Sequence, residues 1–235
     1  EGYMRKYLKF RVMIVILLFL IVTFFKSLGG GKMQGDEKKI RLPVPRYKST
    51  VSVEEAILNR RSVRSYSKEP LNLEEISQLL WAAQGITDGV RNLRAAPSAG
   101  ALYPLETYIV VGNVSSLEKG IYRYDPFNHE IINYKEGDCR SELSLAALGQ
   151  SCVRNGAVSI IFAAVYDRIT EKYGNRGIMY TYMEAGHAAQ NIYLQTEALE
   201  LGTVVVGAFI DDKVKEVIGM KEEETPLYIL PVGKK

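Results

Sequence analysis

The strongest constraint on this chain is the order in which its hydrophobic patterns change. Two amphipathic segments with helix-start signals come first, near residues 52–59 and 72–85, and apolar strand-like runs follow at 106–111, 157–165, 203–210 and 226–232. Ser52 with Glu55, and Asn72 with Glu75, have the three-residue spacing in which a capping side chain and an acid satisfy each other's backbone N–H. Ile76, Leu79, Leu80 and Ala83 share one face of the second helix, and Gly85 ends it. Residues 106–111 alternate and are rich in branched side chains, which reads as a strand, while the near-continuous apolar runs 157–165 and 203–210 read as buried strands. Segments 120–124 and 131–134 form a hairpin pattern around Asp125-Pro126-Phe127-Asn128. Helices are expected over 142–148, 178–201 and 212–218. Strands and helices mix without a regular β-α-β rhythm, so the expected class is α+β, with helices packed on one sheet, rather than a doubly wound fold.

The N-terminus is unlike the rest. Arg5, Lys6, Lys9 and Arg11 precede an apolar run over 12–25, closed by Lys26. A basic flank followed by such a run fits a secretory signal or, extended back through Tyr7, Leu8 and Phe10, an uncleaved signal-anchor with its basic end cytoplasmic. The division expected is therefore a hydrophobic N-terminal helix at 1–28, acting as signal-anchor or signal peptide, a flexible linker at 29–48, and one domain at 49–235. The protein would be membrane-anchored by that one segment, or secreted if it is cleaved. Part of the formal charge of +3 sits in the basic flank, and the remainder is nearly neutral, so composition offers no electrostatic case for nucleic acid. Cys139 and Cys152 are the two cysteines, without a histidine-cysteine cluster, and read as unpaired thiols in or near the core.

Three stretches carry candidate chemistry. In Arg60-Arg61-Ser62-Val63-Arg64-Ser65, guanidinium forks and hydroxyls gather where a helix gives way to extended chain, a donor set suited to phosphate or to a solvated helix end. The loop Arg94 to Pro104 contains Pro97-Ser98-Ala99-Gly100-Ala101-Leu102-Tyr103, whose small residues let backbone approach a flat ligand or simply pack. Glu184-Ala185-Gly186-His187-Ala188-Ala189 places glycine and alanine inside a helix, which points to close packing or ligand approach. His187 has no assignable nucleophile or carboxylate partner, His129 falls in the hairpin turn and is expected to be solvated, and Lys234 and Lys235 end the chain. No nucleophile elbow, P-loop, zinc-protease or dinucleotide-binding motif is present. Chemistry without a protein nucleophile is the kind a cofactor performs.

Together these stretches resemble the nitroreductase superfamily, nearest to its branch of SagB-type peptide azoline dehydrogenases. The resemblance implies a mostly antiparallel central sheet flanked by helices, an FMN cofactor held at the interface of a homodimer, and NAD(P)H as electron donor for reduction of a small-molecule acceptor. It implies that Arg60, Ser62 and Arg64, with Arg61 beside them, hold the FMN phosphate, ribityl chain and ring edge. Pro97, Ser98, Ala99 and Gly100 would line the flavin, with Leu102 and Tyr103 near the ring. Glu184, Gly186, His187, Gly207 and Ala208 would lie by the isoalloxazine, and Lys234 at the phosphate. No protein side chain is expected to be catalytic in the covalent sense, because the flavin N5 carries the chemistry, and no metal is expected. The alternatives are an azoline dehydrogenase acting on a modified peptide, and a membrane-anchored flavin-binding protein without turnover.

Overall fold

The computed structural model describes residues 38–235, and the expected N-terminal hydrophobic helix lies outside the described residues. The elements, in chain order, are β1 (Lys39–Arg41), α1 (Val53–Asn59), α2 (Leu73–Gln84), β2 (Ile86–Asp88), β3 (Leu93–Arg94), a 3-10 turn (Ala99–Ala101), β4 (Leu105–Val111), β5 (Gly120–Asp125) and β6 (Glu130–Glu136). There follow α3 (Arg140–Ala146), α4 (Ser151–Asn155), β7 (Val158–Val165), α5 (Asp167–Tyr173), α6 (Arg176–Ala198), β8 (Leu201–Thr203), α7 (Asp211–Ile218) and β9 (Glu224–Lys234). Both expected capping boxes form: Ser52 Oγ accepts from Glu55 N–H and Asn72 Oδ1 from Glu75 N–H, and each glutamate reaches back to its cap. Each cap removes orphan donors at a helix start and contributes about 1 kcal/mol.

Seven strands make one sheet in the order β1-β6-β5-β4-β7-β9-β8, every neighbouring pair antiparallel. The central strands β4 and β7 are buried on both faces, so alternate residues feed two cores. Ile109 and Phe162 pack with Leu79 and Leu80 of α2 and Ile192 of α6. Tyr108 and Ile161 pack with Leu143 of α3, Val153 of α4 and Val214 of α7. Each fully buried large side chain adds roughly 1.5–3 kcal/mol. Cys139 and Cys152 are free and buried, as expected.

Three expectations need correction. The linker expected at 29–48 does not extend to 48, because β1 pairs with β6 and Leu42 N–H donates to His129 O. The run 203–210 is not a long strand: β8 ends at Thr203, and beyond it only Val206 bridges β9, at Ile229. Its side chains are apolar because Val204 and Val206 are buried, not because the backbone continues a ladder. His129 is not simply solvated. Its ring lies between Ser77 Oγ at 2.7 Å, Tyr124 Oη at 2.8 Å and Pro43 O at 3.1 Å, and burial lowers its pKa. Among the described residues, no helix is long and apolar enough to cross a membrane.

At the β8 edge, residues 62–67 run over the sheet as a strap. Val63 N–H donates to Thr203 O, Tyr66 Oη to Val63 O and Pro231 O, and Ser67 N–H to Lys234 O. Val63 sits on Gly202 and Tyr66 on Gly233, where an added Cβ would meet them at 2.6 and 2.7 Å. Only glycine lets the strap lie this close.

Candidate functional site

The site is organised by α6, 23 residues long and therefore about 34 Å. Ala185, Ala188, Ala189 and Ile192 face the core, and their small size brings the helix close to the sheet. Asn191 Nδ2 donates to Ala82 O, and Gln195 Oε1 accepts from Gln78 Nε2, which fixes one flank of α6 against α2. Gly186 and His187 point outward and are exposed, with open space where a Gly186 side chain would be.

On the other flank stands Tyr193. Its hydroxyl accepts from Val205 N–H at 2.9 Å and lies 3.0 Å from Ser62 Oγ, while the Arg60 guanidinium sits 5.1 Å from its ring centre. Arg61 turns back to the carbonyls of Leu58 and Arg60, capping the negative end of α1. Arg64 is exposed. Among the described residues, no carboxylate pairs with Arg60, Arg61 or Arg64. The Arg60 and Arg64 guanidinium groups, without a carboxylate partner and beside a positioned hydroxyl, are a donor set suited to an anion. Three turns back along the same flank, Tyr182, Ala185, Gly207, Phe209 and Tyr228 line a cavity of about 300 Å³. Gly207 and the adjacent Ala208 are exposed, as an approach to a flat ligand requires.

The loop from Arg94 to Pro104 is held by its own polar groups. Ser98 Oγ accepts from Tyr103 N–H at 2.9 Å, Tyr103 Oη accepts from Arg94 N–H at 3.0 Å, and the Arg94 guanidinium stacks 4.5 Å from the Tyr103 ring. Gly100, Ala101 and Tyr103 all have positive φ, at 65°, 54° and 48°. Left-handed backbone at two non-glycine residues stores strain, a cost that recurs where a loop is shaped for a ligand. Pro97 and Gly100 are exposed, whereas Ser98, Ala99, Leu102 and Tyr103 are half-buried.

Glu184 is 1% exposed, and neither of its carboxylate oxygens has a hydrogen-bond partner. Burial pushes its pKa up to about 7, against the opposing pull of Ser98, Arg94 and Gln84, which face it without reaching hydrogen-bond geometry. It belongs with the loop, not with Tyr193. Nine residues separate Glu184 from Tyr193, about two and a half turns, so the two leave opposite flanks of α6. The candidate residues thus fall into two groups: Arg60, Ser62, Gly207 and Ala208 on the Tyr193 flank, and Pro97 to Tyr103 with Glu184 on the other. Lys234 joins neither, because its ammonium is paired with Glu75 of α2, and Lys235 pairs with Glu197 at 2.7 Å. Tyr193, Gln84 and Arg94 escaped the sequence reading as site residues. Tyr193 is 131 positions from the serine it holds, and no local pattern reports such a contact.

The chain is similar to known proteins over most of its length. The profile of the Nitroreductase family matches residues 57–234. A Methanocaldococcus jannaschii protein named as a nitroreductase is 44% identical over 201 residues, covering 86% of this chain and 98% of that protein. The FMN reductase (NADPH) of Bacillus subtilis is 28% identical, covering 76% of this chain and 64% of that protein. The microcin B17-processing protein McbC of Escherichia coli is 25% identical, covering 69% and 62%. The crystal structure of a nitroreductase from Ralstonia eutropha superimposes with a TM-score of 0.74 at 28% identity, over 85% of this chain and 91% of that one.

Proposed function

Since this chain belongs to the nitroreductase family, we propose that it is an FMN-dependent oxidoreductase, reducing a small organic acceptor with electrons from NAD(P)H or another donor. The observation that carries the reading is the Tyr193 flank of α6. It offers phosphate chemistry at Arg60 and Ser62 and an aromatic cavity beside Gly207, with Tyr182 about 16 Å from Tyr193 along the helix. That separation suits an extended flavin mononucleotide, phosphate at one end and ring at the other.

Arg60 and Ser62 would hold the phosphate, with Arg64 available to the ribityl chain or ring edge. Tyr193 would keep the Ser62 hydroxyl in place, and Gly207 and Ala208 would admit the ring against backbone. When bound, FMN supplies the hydride-accepting and hydride-donating centre, so no side chain need bond to substrate. Positive charge near the ring favours the reduced, anionic cofactor.

The second group of residues supports a homodimer. Ser98 and Gly100 lie on the wrong flank of α6 to meet the same flavin, whereas the equivalent loop of a second copy can cover it. Both α1 and α6 leave apolar side chains for such a contact: Ile57 and Leu58 are 58% and 70% exposed, Tyr182 and Met183 53% and 50%. Exposure of this size along two adjacent helices marks an interaction face.

The visible spectrum of the purified protein, before and after anaerobic addition of NADH or NADPH, tests the reading. Flavin bands that bleach on addition are the expected result. A colourless protein that takes up no added FMN refutes it. A second reading, dehydrogenation of a heterocycle in a modified peptide, draws on the similarity to the microcin-processing protein. Bleaching by an azoline-bearing peptide in place of NAD(P)H would favour that one, and flavin bands that no donor bleaches would indicate a binder without turnover.

A further inference from the structure

The cavity beside Gly207 has a feature that the flavin reading does not use. Its volume of about 300 Å³ is at the lower end of the roughly 300–1,000 Å³ typical of small-molecule sites. Four aromatic rings line it: Tyr166 just after β7, Tyr182 on α6, Phe209, and Tyr228 on β9. Among the residues of this wall only one is charged, Asp211 in the first turn of α7.

The rings stand as walls rather than as a stack. Tyr166 and Tyr182 have ring centres 6.2 Å apart and planes at 81°, and Tyr166 Oη donates to Tyr182 Oη at 3.2 Å, so the two meet at their hydroxyl ends and form a corner. A Cβ added at Gly207 would meet the Tyr228 ring at 3.6 Å, so a third ring comes up to exposed backbone. Tyr182 is 53% exposed and Asp211 is exposed, so ring and carboxylate are both reachable from solvent. An acid in the first turn of a helix is favoured by the dipole, and by itself means little. Asp211, however, has no ion pair among the described residues, and it is the sole charge on a wall of aromatic rings. It is also misplaced for the cofactor. A carboxylate beside a ring that gains negative charge on reduction opposes that reduction, unless a cation stands between them.

Aromatic faces carry negative potential and attract cations, most strongly where the cation has shed its water, and a carboxylate nearby adds to the same attraction. We infer that this cavity binds the cationic head of a small organic ammonium compound, its charge held between Asp211 and the tyrosine rings. Alkyl groups on the nitrogen would lie against the rings, which suits them better than water does. Resting on the flavin reading, which lays the ring on the backbone of Gly207 and Ala208, that compound is the acceptor.

Calorimetric titration of the purified protein with choline and with neohexyl alcohol, its uncharged counterpart in which carbon replaces nitrogen, tests this at constant ionic strength, with and without added FMN. Choline is expected to bind about tenfold more tightly than the alcohol, the size of a desolvated cation–aromatic contact. Asp211→Asn and Tyr182→Leu, both at exposed positions where folding is not at stake, should each weaken choline about tenfold. Tyr182→Phe keeps the ring and should bind choline nearly as well as wild type. Equal binding of the two probes would mean a merely apolar cavity and would overturn the inference. So would an absence of choline binding, or choline binding that ignores both Asp211→Asn and Tyr182→Leu. Choline displaced by FMN would show that the flavin itself fills the cavity, and would overturn it as well. Because binding is read directly, a colourless protein that still prefers choline would keep this site while removing the oxidoreductase reading.

Discussion

If each flavin site takes its phosphate half from one subunit and its loop half from the other, two differently damaged chains should repair each other in a mixed dimer. Arg60→Ala removes the guanidinium above Tyr193. Loss of one charged hydrogen bond costs on the order of 1.5–3 kcal/mol, or roughly a 10- to 150-fold loss of FMN affinity. Gly100→Val damages the other half. Residue 100 has φ +65°, and a Cβ there would meet Tyr173 Oη at 2.8 Å and Lys172 Nζ at 3.1 Å. A branched residue in left-handed backbone adds about 1–2 kcal/mol of strain, most easily relieved by reshaping the 99–101 turn. The two variants would be co-expressed with different tags and the mixed dimer isolated by both. One of its sites then has both halves intact, and the other has neither. Each parental dimer should retain little flavin, and the mixed dimer about half the wild-type content, by the symmetry of a two-fold dimer. A mixed dimer as colourless as its parents would show that both halves act on one flavin within one chain, against the opposite-flank geometry of Glu184 and Tyr193.

Two further outcomes follow from buried polar groups. Tyr108 Oη donates to both oxygens of buried Glu224, at 3.0 and 2.9 Å, so Tyr108→Phe leaves a buried carboxylate with Lys221 N–H as its remaining donor. A loss of about 1.5–3 kcal/mol is expected, seen as a Tm lowered by several degrees, and an unchanged melting curve would refute it. Glu184 gives a pH signature: its carboxyl is pushed from an ordinary 4.5 up to about 7, so the folded state binds the extra proton and stability falls as pH rises between those values. The full effect is about 3 kcal/mol, and Glu184→Gln should lose less stability than wild type between pH 5 and pH 8. Parallel melting profiles would count against the burial argument.

The parts of this fold that were legible in sequence are those written in local chemistry. Ser52 with Glu55 and Asn72 with Glu75 announce α1 and α2 because a capping box is made within four residues. The alternation of residues 106–111 and the apolar run of 157–165 likewise predict β4 and β7, which form at Leu105–Val111 and Val158–Val165. The same reading failed at 203–210 because apolar composition reports burial, whereas a strand requires continuous pairing, and beyond Thr203 this segment meets the edge of β9 only where Val206 bridges Ile229. It failed at α4 and α5, five and seven residues long, because so few turns give periodicity little to show. At the site, Arg60, Ser62 and the small-residue loop were visible as residue types suited to phosphate and flat rings. Their division between two flanks of α6 was not, because it depends on helix rotation relative to distant segments. Lys234 shows the reverse error: a terminal cation looks available until the fold supplies Glu75.

The strap formed by residues 62–67 carries a consequence for the order of assembly. Its anchors are Tyr193, Thr203, Pro231 and Lys234, all from the last fifth of the sequence, and the glycines beneath it are Gly202 and Gly233. During synthesis the arginine segment therefore leaves the ribosome long before anything exists to hold it. Helices α1 and α2 can form on their own caps while the chain is still growing, but the donor set suited to an anion cannot assemble until β9 is complete. Contacts of such long sequence separation close late and slowly. A nascent chain or a C-terminally clipped one would keep much of its helical content and have no place for a cofactor, so that flavin colour becomes a reporter of finished chains.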